Sequence, residues 1–263
     1  MTSIALFGAG GGMGRFLTGR LMGHEYDLRC IEISDVGVKA LQELDAPVTP
    51  QDEALRDVDV VIFALPDAVV GKVSHAVVPE IPTGAMVFSL DVSAALAGAL
   101  CVRDDLAYFF AHPCHHNILR PGEASQHLTC ALMQGPESAY VLGEKIACDI
   151  HGPISRTHRL TLEQMGLLEP ALAETVGLAC LSLLRDAVEE TISQGVPREA
   201  AEEFLLGHLS CLSAFFGEGR LSEGAVLTME RGKRRLFRDD WRDLLTPESA
   251  LREARAIVGA NDV

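Results

Sequence analysis

Positive charge is scarce in this sequence. Its 22 lysines and arginines stand against 37 aspartates and glutamates, which gives a formal net charge of −15 at pH 7. Nucleic acids and anionic membrane surfaces attract proteins through basic side chains, so the deficit argues against both kinds of partner. Long apolar runs are also missing, since no stretch reaches the roughly 18 residues that suggest a membrane span. No signal peptide is recognisable at the N-terminus. We therefore predict no membrane association.

Paired cysteines are absent as well. The seven cysteines are scattered, odd in number and without a C-x-x-C motif. This pattern argues against a disulfide framework and is typical of a reducing compartment, which predicts a cytoplasmic protein. The sequence shows neither internal repeats nor low-complexity segments. Its 263 residues, 48% of them hydrophobic, are enough for two modest domains with separate cores.

What the sequence does contain is a glycine cluster near its N-terminus. Residues 4–7 are apolar, residues 8–14 read Gly-Ala-Gly-Gly-Gly-Met-Gly, and an amphipathic stretch follows. A strand, a tight turn and a helix N-terminus in this order form an anion site, because free backbone N–H groups and the helix dipole converge there. Glycines suit a pyrophosphate that must approach the backbone closely; an ordinary glycine-rich turn is the alternative. The predicted cofactor-binding residues of this loop are Gly8, Gly10, Gly11, Gly12, Met13 and Gly14.

A second apolar run, residues 28–33, carries one acidic side chain, Glu32, 18 residues beyond the last glycine of the loop. A dinucleotide-binding fold places there the carboxylate that accepts hydrogen bonds from the adenosine ribose. No arginine follows Glu32 directly to receive a 2′-phosphate, so NAD is favoured over NADP. A buried strand is predicted at residues 58–65, and in such a fold the loop that follows this strand crosses the cofactor. Leu65 and Asp67 are therefore also predicted to bind the cofactor.

Strands alternate with helical segments through the first half of the chain. This alternation is typical of an α/β fold with a doubly wound parallel (Rossmann) sheet. After a crossing point at residues 153–158, Thr161 and Gln164 form a capping box that opens a helix running to about residue 194. We predict an NAD-binding Rossmann domain at residues 1–155 and an all-helical substrate and dimerisation domain at residues 156–263. Apolar residues on more than one face of its helices predict a homodimer.

A histidine-rich segment, His112-Pro113-Cys114-His115-His116, follows the strand predicted at residues 106–111. Open α/β sheets place ligands at the carboxyl ends of their strands. Imidazole serves there as a metal ligand or as a general acid or base near neutral pH. A polar surface loop with incidental histidines is the alternative.

Glu174 is the only charged residue between Glu169 and Arg185. Helical steps of four and seven residues place it on one stripe with Leu167, Leu178 and Leu181, which is the face that a helix buries. A buried carboxylate is costly unless it is paired. Two interpretations follow: a ligand or base facing the cofactor cleft, or a core carboxylate bound to a structural arginine or histidine.

Four sequence blocks resemble the D-apionate oxidoisomerases, a group related to phosphogluconate dehydrogenases in its C-terminal part. They are Gly-Ala-Gly-Gly-x-Met-Gly at 8–14, Ala-His-Pro-Cys-His at 111–115, Leu-Met-Gln-Gly-Pro-Glu at 132–137, and Glu-Gln-Met-x-x-Leu-Glu-Pro-Ala-Leu-x-Glu-Thr-Val at 163–176. The resemblance implies NAD-linked oxidation of a branched sugar acid with carbon-skeleton migration, assisted by a bound divalent metal ion. Carried over by position, it implies that His115 and Glu174 are the metal ligands and that Glu32 with the glycine loop holds NAD.

The expected acceptor of the substrate hydroxyl proton is His112 or His116. A mixed histidine and carboxylate ligand set favours Zn²⁺, with Mg²⁺ or Mn²⁺ as alternatives. Two rival classes stay open. A plain metal-free NAD-dependent hydroxy-acid dehydrogenase would use His115 or His116 as its base and would need no buried glutamate. A non-enzymatic NAD-sensing protein would need only the glycine loop.

Overall fold

The computed structural model describes residues 1–114, 126–212 and 223–259. Its chain divides into two compact units, Met1–Leu168 with Ala250–Val263, and Glu169–Ser249. The predicted boundary after residue 155 thus falls inside the first unit. The assignment of cofactor binding and substrate binding to separate domains stays a prediction.

A seven-stranded sheet forms the first unit. Its strands are β1 (Thr2–Phe7), β2 (Tyr26–Ile31), β3 (Val60–Phe63), β4 (Met86–Ser89), β5 (Ala107–Pro113), β6 (Gln126–Gln134) and β7 (Ile154–Arg159). In space they are ordered β2-β1-β3-β4-β5-β6-β7. Strands β1 to β5 run parallel, β6 is antiparallel to β5, and β7 is parallel to β6. The predicted doubly wound parallel sheet is confirmed, and β6 and β7 are the strands that depart from the parallel direction.

Helices connect the strands and make up most of the second unit, which confirms the predicted helical C-terminal region. The α-helices are α1 (Gly12–Leu21), α2 (Asp35–Gln42), α3 (Gln51–Ala54), α4 (Asp67–Val77), α5 (Ser93–Leu96), α6 (Glu137–His151), α7 (Leu162–Gly166), α8 (Ala179–Ser193), α9 (Arg198–Leu212), α10 (Glu223–Leu236) and α11 (Pro247–Ile257). A π-helix, Leu167–Leu178, joins α7 to α8, and 3-10 turns lie at Val78–Glu80 and Trp241–Leu245.

Both faces of the central sheet are covered. Every residue of β3 and β4 is buried, which explains why their sequences are continuous apolar runs rather than alternating ones. Successive side chains still point to opposite faces. Val61 and Phe63 therefore join one core cluster, while Val60 and Ile62 join the other. This doubly covered sheet holds the strand ends on which the candidate site is built.

The helix that spans Leu162–Ser193 overturns one expectation from the sequence. It has 32 residues and a mean hydropathy of 1.6 over its most apolar window, of which only 11% is buried. By length and composition alone it is able to cross a membrane, although interior helices of other proteins pass the same test. The prediction that no stretch reaches that length was wrong because it counted uninterrupted apolar residues, whereas a helical window tolerates isolated polar ones such as Glu174.

Candidate cofactor and active site

The glycine loop lies at the carboxyl edge of the sheet, between β1 and α1. Strands β2 and β3 flank β1 on opposite sides, so the order of the strands reverses here. Open α/β sheets bind ligands at such a switch point. The loop is fixed to the end of β2, since the N–H groups of Gly8 and Ala9 donate to the Ile31 carbonyl oxygen at 3.0 and 3.2 Å.

Close backbone contacts explain the glycines at the two ends of the loop. Gly8 has φ +74°, and a Cβ there would lie 2.4 Å from the Ala64 carbonyl oxygen. A Cβ on Gly14 would lie 2.0 Å from the Gly8 carbonyl oxygen. Gly12, in contrast, has open space around it. Helix α1 begins there with neither a side-chain cap on Gly11 nor an acidic residue in its first turn, so its N–H groups are available to an anion.

Two further predicted residues lie beside this loop. Leu65 follows β3, and its Cδ2 would be 2.8 Å from a Cβ on Gly8. Met13 is half-buried and packs against the core cluster that contains Leu6 and Leu17. The structure thus brings Leu65 together with the glycine loop, while the Met13 side chain takes part in anchoring α1.

Glu32 follows β2 directly, and its carboxylate is held by four hydrogen bonds. Oε2 accepts from the N–H of Gly10 at 3.0 Å. Oε1 accepts from the N–H groups of Ile33 and Ser34, both at 2.8 Å, and from the Ser34 hydroxyl at 3.0 Å. Partial burial opposes ionisation, but these bonds outweigh it and lower the pKa of Glu32. The residue is therefore an ionised, preoriented acceptor next to the loop.

A second group of ionisable side chains lies at the ends of β3, β4 and β5. Asp67 is the first residue of α4, Asp91 accepts a hydrogen bond from the Ser93 N–H at 2.6 Å, and His112 is in β5. Burial raises the pKa of Asp67, the Asp91 carboxylate raises it further, and His112 opposes the shift. The three groups therefore interact, two of them predicted and one, Asp91, missed. The strand-end rule that singled out His112 also applies to Asp91.

The described parts of the chain do not test the predicted pair of metal ligands. His115 and His116 lie outside the described residues. Glu174 lies in the second unit and is exposed, not buried as expected. The predicted face is itself uncovered within this chain, since Leu178 and Leu181 are 58% and 53% exposed as well. Among the described residues, no group of three or more His, Cys, Asp or Glu side chains is placed to hold a metal ion.

Comparison with known proteins identifies relatives of this chain. Residues 120–258 match the C-terminal domain of phosphogluconate dehydrogenase (decarboxylating). The D-apionate oxidoisomerase of Rhizobium rhizogenes is 45% identical over 265 residues, covering 94% of this chain and 96% of that protein. The D-apionate oxidoisomerase of Cupriavidus necator is 44% identical over 271 residues, covering 97% and 98%.

A solved structure extends the likeness to three dimensions. It is a semialdehyde dehydrogenase NAD-binding protein from Cupriavidus necator in complex with calcium and NAD. Its TM-score with this chain is 0.92 at 44% identity, and the match covers 98% of this chain and 99% of that one.

Proposed function

Because this chain belongs to the D-apionate oxidoisomerase family, we propose that it is an NAD-dependent oxidoreductase that oxidises a branched sugar acid of the D-apionate type and rearranges its carbon skeleton. The observation that carries the proposal is the 45% identity to the Rhizobium rhizogenes enzyme over nearly the full length of both chains. The strand-end cluster of Asp67, Asp91 and His112 supports an enzyme rather than an NAD sensor, because a sensor needs no group that accepts a proton.

NAD is the proposed cofactor, and the residues present fit it. Gly8, Gly10 and Gly14 let the loop pack closely against neighbouring backbone, while Gly12 leaves open space at the start of α1, where uncapped N–H groups suit a pyrophosphate. Glu32 accepts hydrogen bonds from the adenosine ribose, and its charge repels a 2′-phosphate. When bound, NAD supplies the acceptor for the hydride that leaves the substrate carbon.

His112 is the proposed acceptor of the substrate hydroxyl proton, with His116 as the alternative. Neighbouring carboxylates favour the protonated form of an imidazole. Asp67 therefore stabilises the positive charge that His112 acquires when it takes the proton.

We propose in addition that a divalent cation assists the reaction, with His115 and Glu174 as the ligands implied by the family resemblance. The calcium in the Cupriavidus necator structure supports a divalent ion. Calcium prefers oxygen ligands, so the preference for zinc stays a prediction. The described residues alone do not form a cation site, and we assign no chemical step to the ion.

We also propose that the protein forms a homodimer through the helical unit. Its proposed location is the cytoplasm. The support is an apolar surface that the single chain leaves exposed: Leu178 and Leu181 are 58% and 53% exposed, and Phe204 and Leu206 are 69% and 66% exposed. An apolar groove of about 480 Å³ lies between α8 and α9 on the same unit. The cytoplasmic location is supported by the free thiols of the described cysteines.

Turnover of D-apionate with NAD tests the function. NADH formation followed by absorbance reports oxidation, and NMR of the product reports whether the branch point of its carbon skeleton has moved. We expect NADH and a skeleton whose branch point has moved to the neighbouring carbon, both reduced in His112→Ala. NADH with an oxo acid that keeps the original branch point would identify a plain dehydrogenase. NADH binding without turnover of any sugar acid in a panel would identify a sensor. Removal of metal by a chelator, followed by readdition of single ions, tests the cation separately.

A further inference from the structure

Glu32 is held in place by a residue that has no side chain. We infer that Gly37 determines cofactor preference: the space above its Cα is what lets the Glu32 carboxylate lie against the glycine loop, and Ser34 secures it there. Gly37 acts through Glu32 and is a positioning residue. The inference rests on the proposed NAD-dependent function and extends it to a residue outside the recognised glycine motif.

The first observation is steric. Gly37 is buried near the start of α2. A Cβ added to it would lie 2.4 Å from Cδ, 2.6 Å from Oε2 and 2.7 Å from Cγ of Glu32. These three atoms are its nearest neighbours, so a methyl group at this position displaces the Glu32 side chain. Glycine is a poor helix former compared with alanine, and its position inside a predicted helix is the signal that the sequence offered.

The second observation is a chain of hydrogen bonds that joins Gly37 to Glu32. The Gly37 N–H donates to the Ser34 hydroxyl oxygen at 3.0 Å, which caps α2. The same hydroxyl donates to Oε1 of Glu32 at 3.0 Å. Because the Ser34 oxygen accepts the hydrogen bond from the Gly37 N–H, its hydroxyl proton is directed towards the Glu32 carboxylate. The first turn of α2 therefore fixes the orientation of the ribose acceptor.

The third observation links this turn to the phosphate loop. A Cβ on Gly10 would lie 2.3 Å from the Gly37 carbonyl oxygen, so the two backbones are in direct contact. Beside this backbone contact, Oε2 of Glu32 accepts a hydrogen bond from the Gly10 N–H at 3.0 Å. A side chain at position 37 would push the carboxylate away from Gly10 and out of the place where a ribose hydroxyl meets it.

Calorimetric titration of the full-length chain with NADH and NADPH tests the inference in a double-mutant cycle. The proteins are wild type, Gly37→Ala, Glu32→Ser and the double variant. We expect Gly37→Ala to weaken NADH binding about tenfold or more, as expected for a hydrogen bond to a charged group, without weakening NADPH binding. In the Glu32→Ser background the same change should alter NADH affinity by less than about twofold, because the displaced group is gone.

The matched control is Gly19→Ala, a glycine-to-alanine change in α1 at a position with nothing within 4 Å of the added Cβ. It should leave both affinities unchanged. If circular dichroism shows that Gly37→Ala does not fold, Ser34→Ala tests the inference instead, because it removes one hydrogen-bond donor to Glu32. We expect NADH binding to weaken in Ser34→Ala and to be restored in Ser34→Thr, which keeps the hydroxyl.

Two results would overturn the inference. One is a folded Gly37→Ala that binds NADH as wild type does, or an unaltered NADH affinity in Ser34→Ala. The other is an equal loss of NADH affinity with and without Glu32, which would show a general distortion of the loop. Failure of the proposed NAD dependence gives a different result, since the wild-type chain would then bind neither NADH nor NADPH, whereas a sensor or a plain dehydrogenase would bind NADH and leave the inference testable.

Discussion

At the scale of single residues, the surroundings of Asp67 oppose the ionisation of its carboxyl group. Burial and the Asp91 carboxylate raise its pKa above the unfolded value. Stability from this group is therefore present at low pH and is lost as pH rises through the raised pKa. We expect Asp67→Asn to raise the melting temperature relative to wild type at pH 7 and to do so much less near pH 4, about where a free aspartate titrates. Equal shifts at both pH values would contradict the electrostatic explanation.

Two helical glycines should respond to alanine with opposite signs. A Cβ on Gly143 would lie 2.4 Å from Cγ of Phe109, whose ring is fully buried. Overpacking of this kind costs about 1–3 kcal/mol, so Gly143→Ala should lower the free energy of unfolding by that amount. Gly19 has open space, and Gly19→Ala should raise it by roughly 0.5–1 kcal/mol. Urea unfolding of both variants measures the contrast, and a neutral Gly143→Ala would show that the core relaxes freely.

At the scale of elements, local signals predicted the structure where burial is complete. The apolar runs at residues 58–65 and 106–111 became β3 and β5 because both faces of those strands are covered. Strand β7 was missed: residues 153–158 were interpreted as a crossing point between domains. Its sequence, Ile-Ser-Arg-Thr-His-Arg, is polar because it forms the edge of the sheet and no residue of it is fully buried. Hydrophobic patterning carries no information about a strand of that kind.

Within the long helix, the sequence predicted the start and not the register. The capping box is present, since Thr161 Oγ1 accepts from the Gln164 N–H at 3.2 Å and Gln164 Oε1 accepts from the Thr161 N–H at 2.9 Å. Six residues further on the backbone changes to a π-helix that contains Pro170. A cap depends on neighbouring residues alone. A change of helical register has no counterpart in the 3.6-residue periodicity, so the π-helix was not predicted. The predicted burial of Glu174 failed because the stripe that it shares with Leu178 and Leu181 is exposed.

The capping box gives a prediction for this element. Thr161→Ala removes the acceptor for the Gln164 N–H and should lower the free energy of unfolding by about 1 kcal/mol. Thr161→Ser keeps a hydroxyl and should lower it by much less. Urea unfolding of the two variants compares them. If the Thr161→Ala and Thr161→Ser variants unfold at the same urea concentration, the cap makes no measurable contribution to stability.

At the scale of the whole molecule, the candidate site was predictable only where a motif places residues together. The glycine loop and Glu32 lie next to each other, as their spacing in a dinucleotide-binding fold requires. Gly37 and Asp91 were not predicted. The importance of Gly37 comes from the Glu32 side chain, which lies over it at the end of β2, and that of Asp91 comes from the strands on both sides of β4. The sequence signals Gly37 only as a glycine inside a predicted helix, and it does not signal Asp91 as a neighbour of Asp67.

The exposed apolar helix Leu162–Ser193 gives the last prediction, which concerns assembly. Apolar surface of this extent is stable in water only when something covers it, and a second copy of the chain is the proposed cover. Light scattering at micromolar concentration should therefore give about twice the 28.3 kDa of one chain. Leu178→Glu with Leu181→Glu should shift the protein towards the monomer, because two charges would then have to be desolvated in the interface.

The matched control for the dimer is Val141→Glu, an equally exposed apolar residue, at 61%, in the first unit. It should leave the mass unchanged. A wild-type monomer would contradict the dimer. Flotation of the wild-type chain with phosphatidylcholine vesicles would show that lipid covers the helix. This outcome is tested because the helix is long and apolar enough to span a membrane. A dimer that dissociates only in the paired glutamate variant, and that does not float with vesicles, assigns the apolar surface to contact between two copies of the chain.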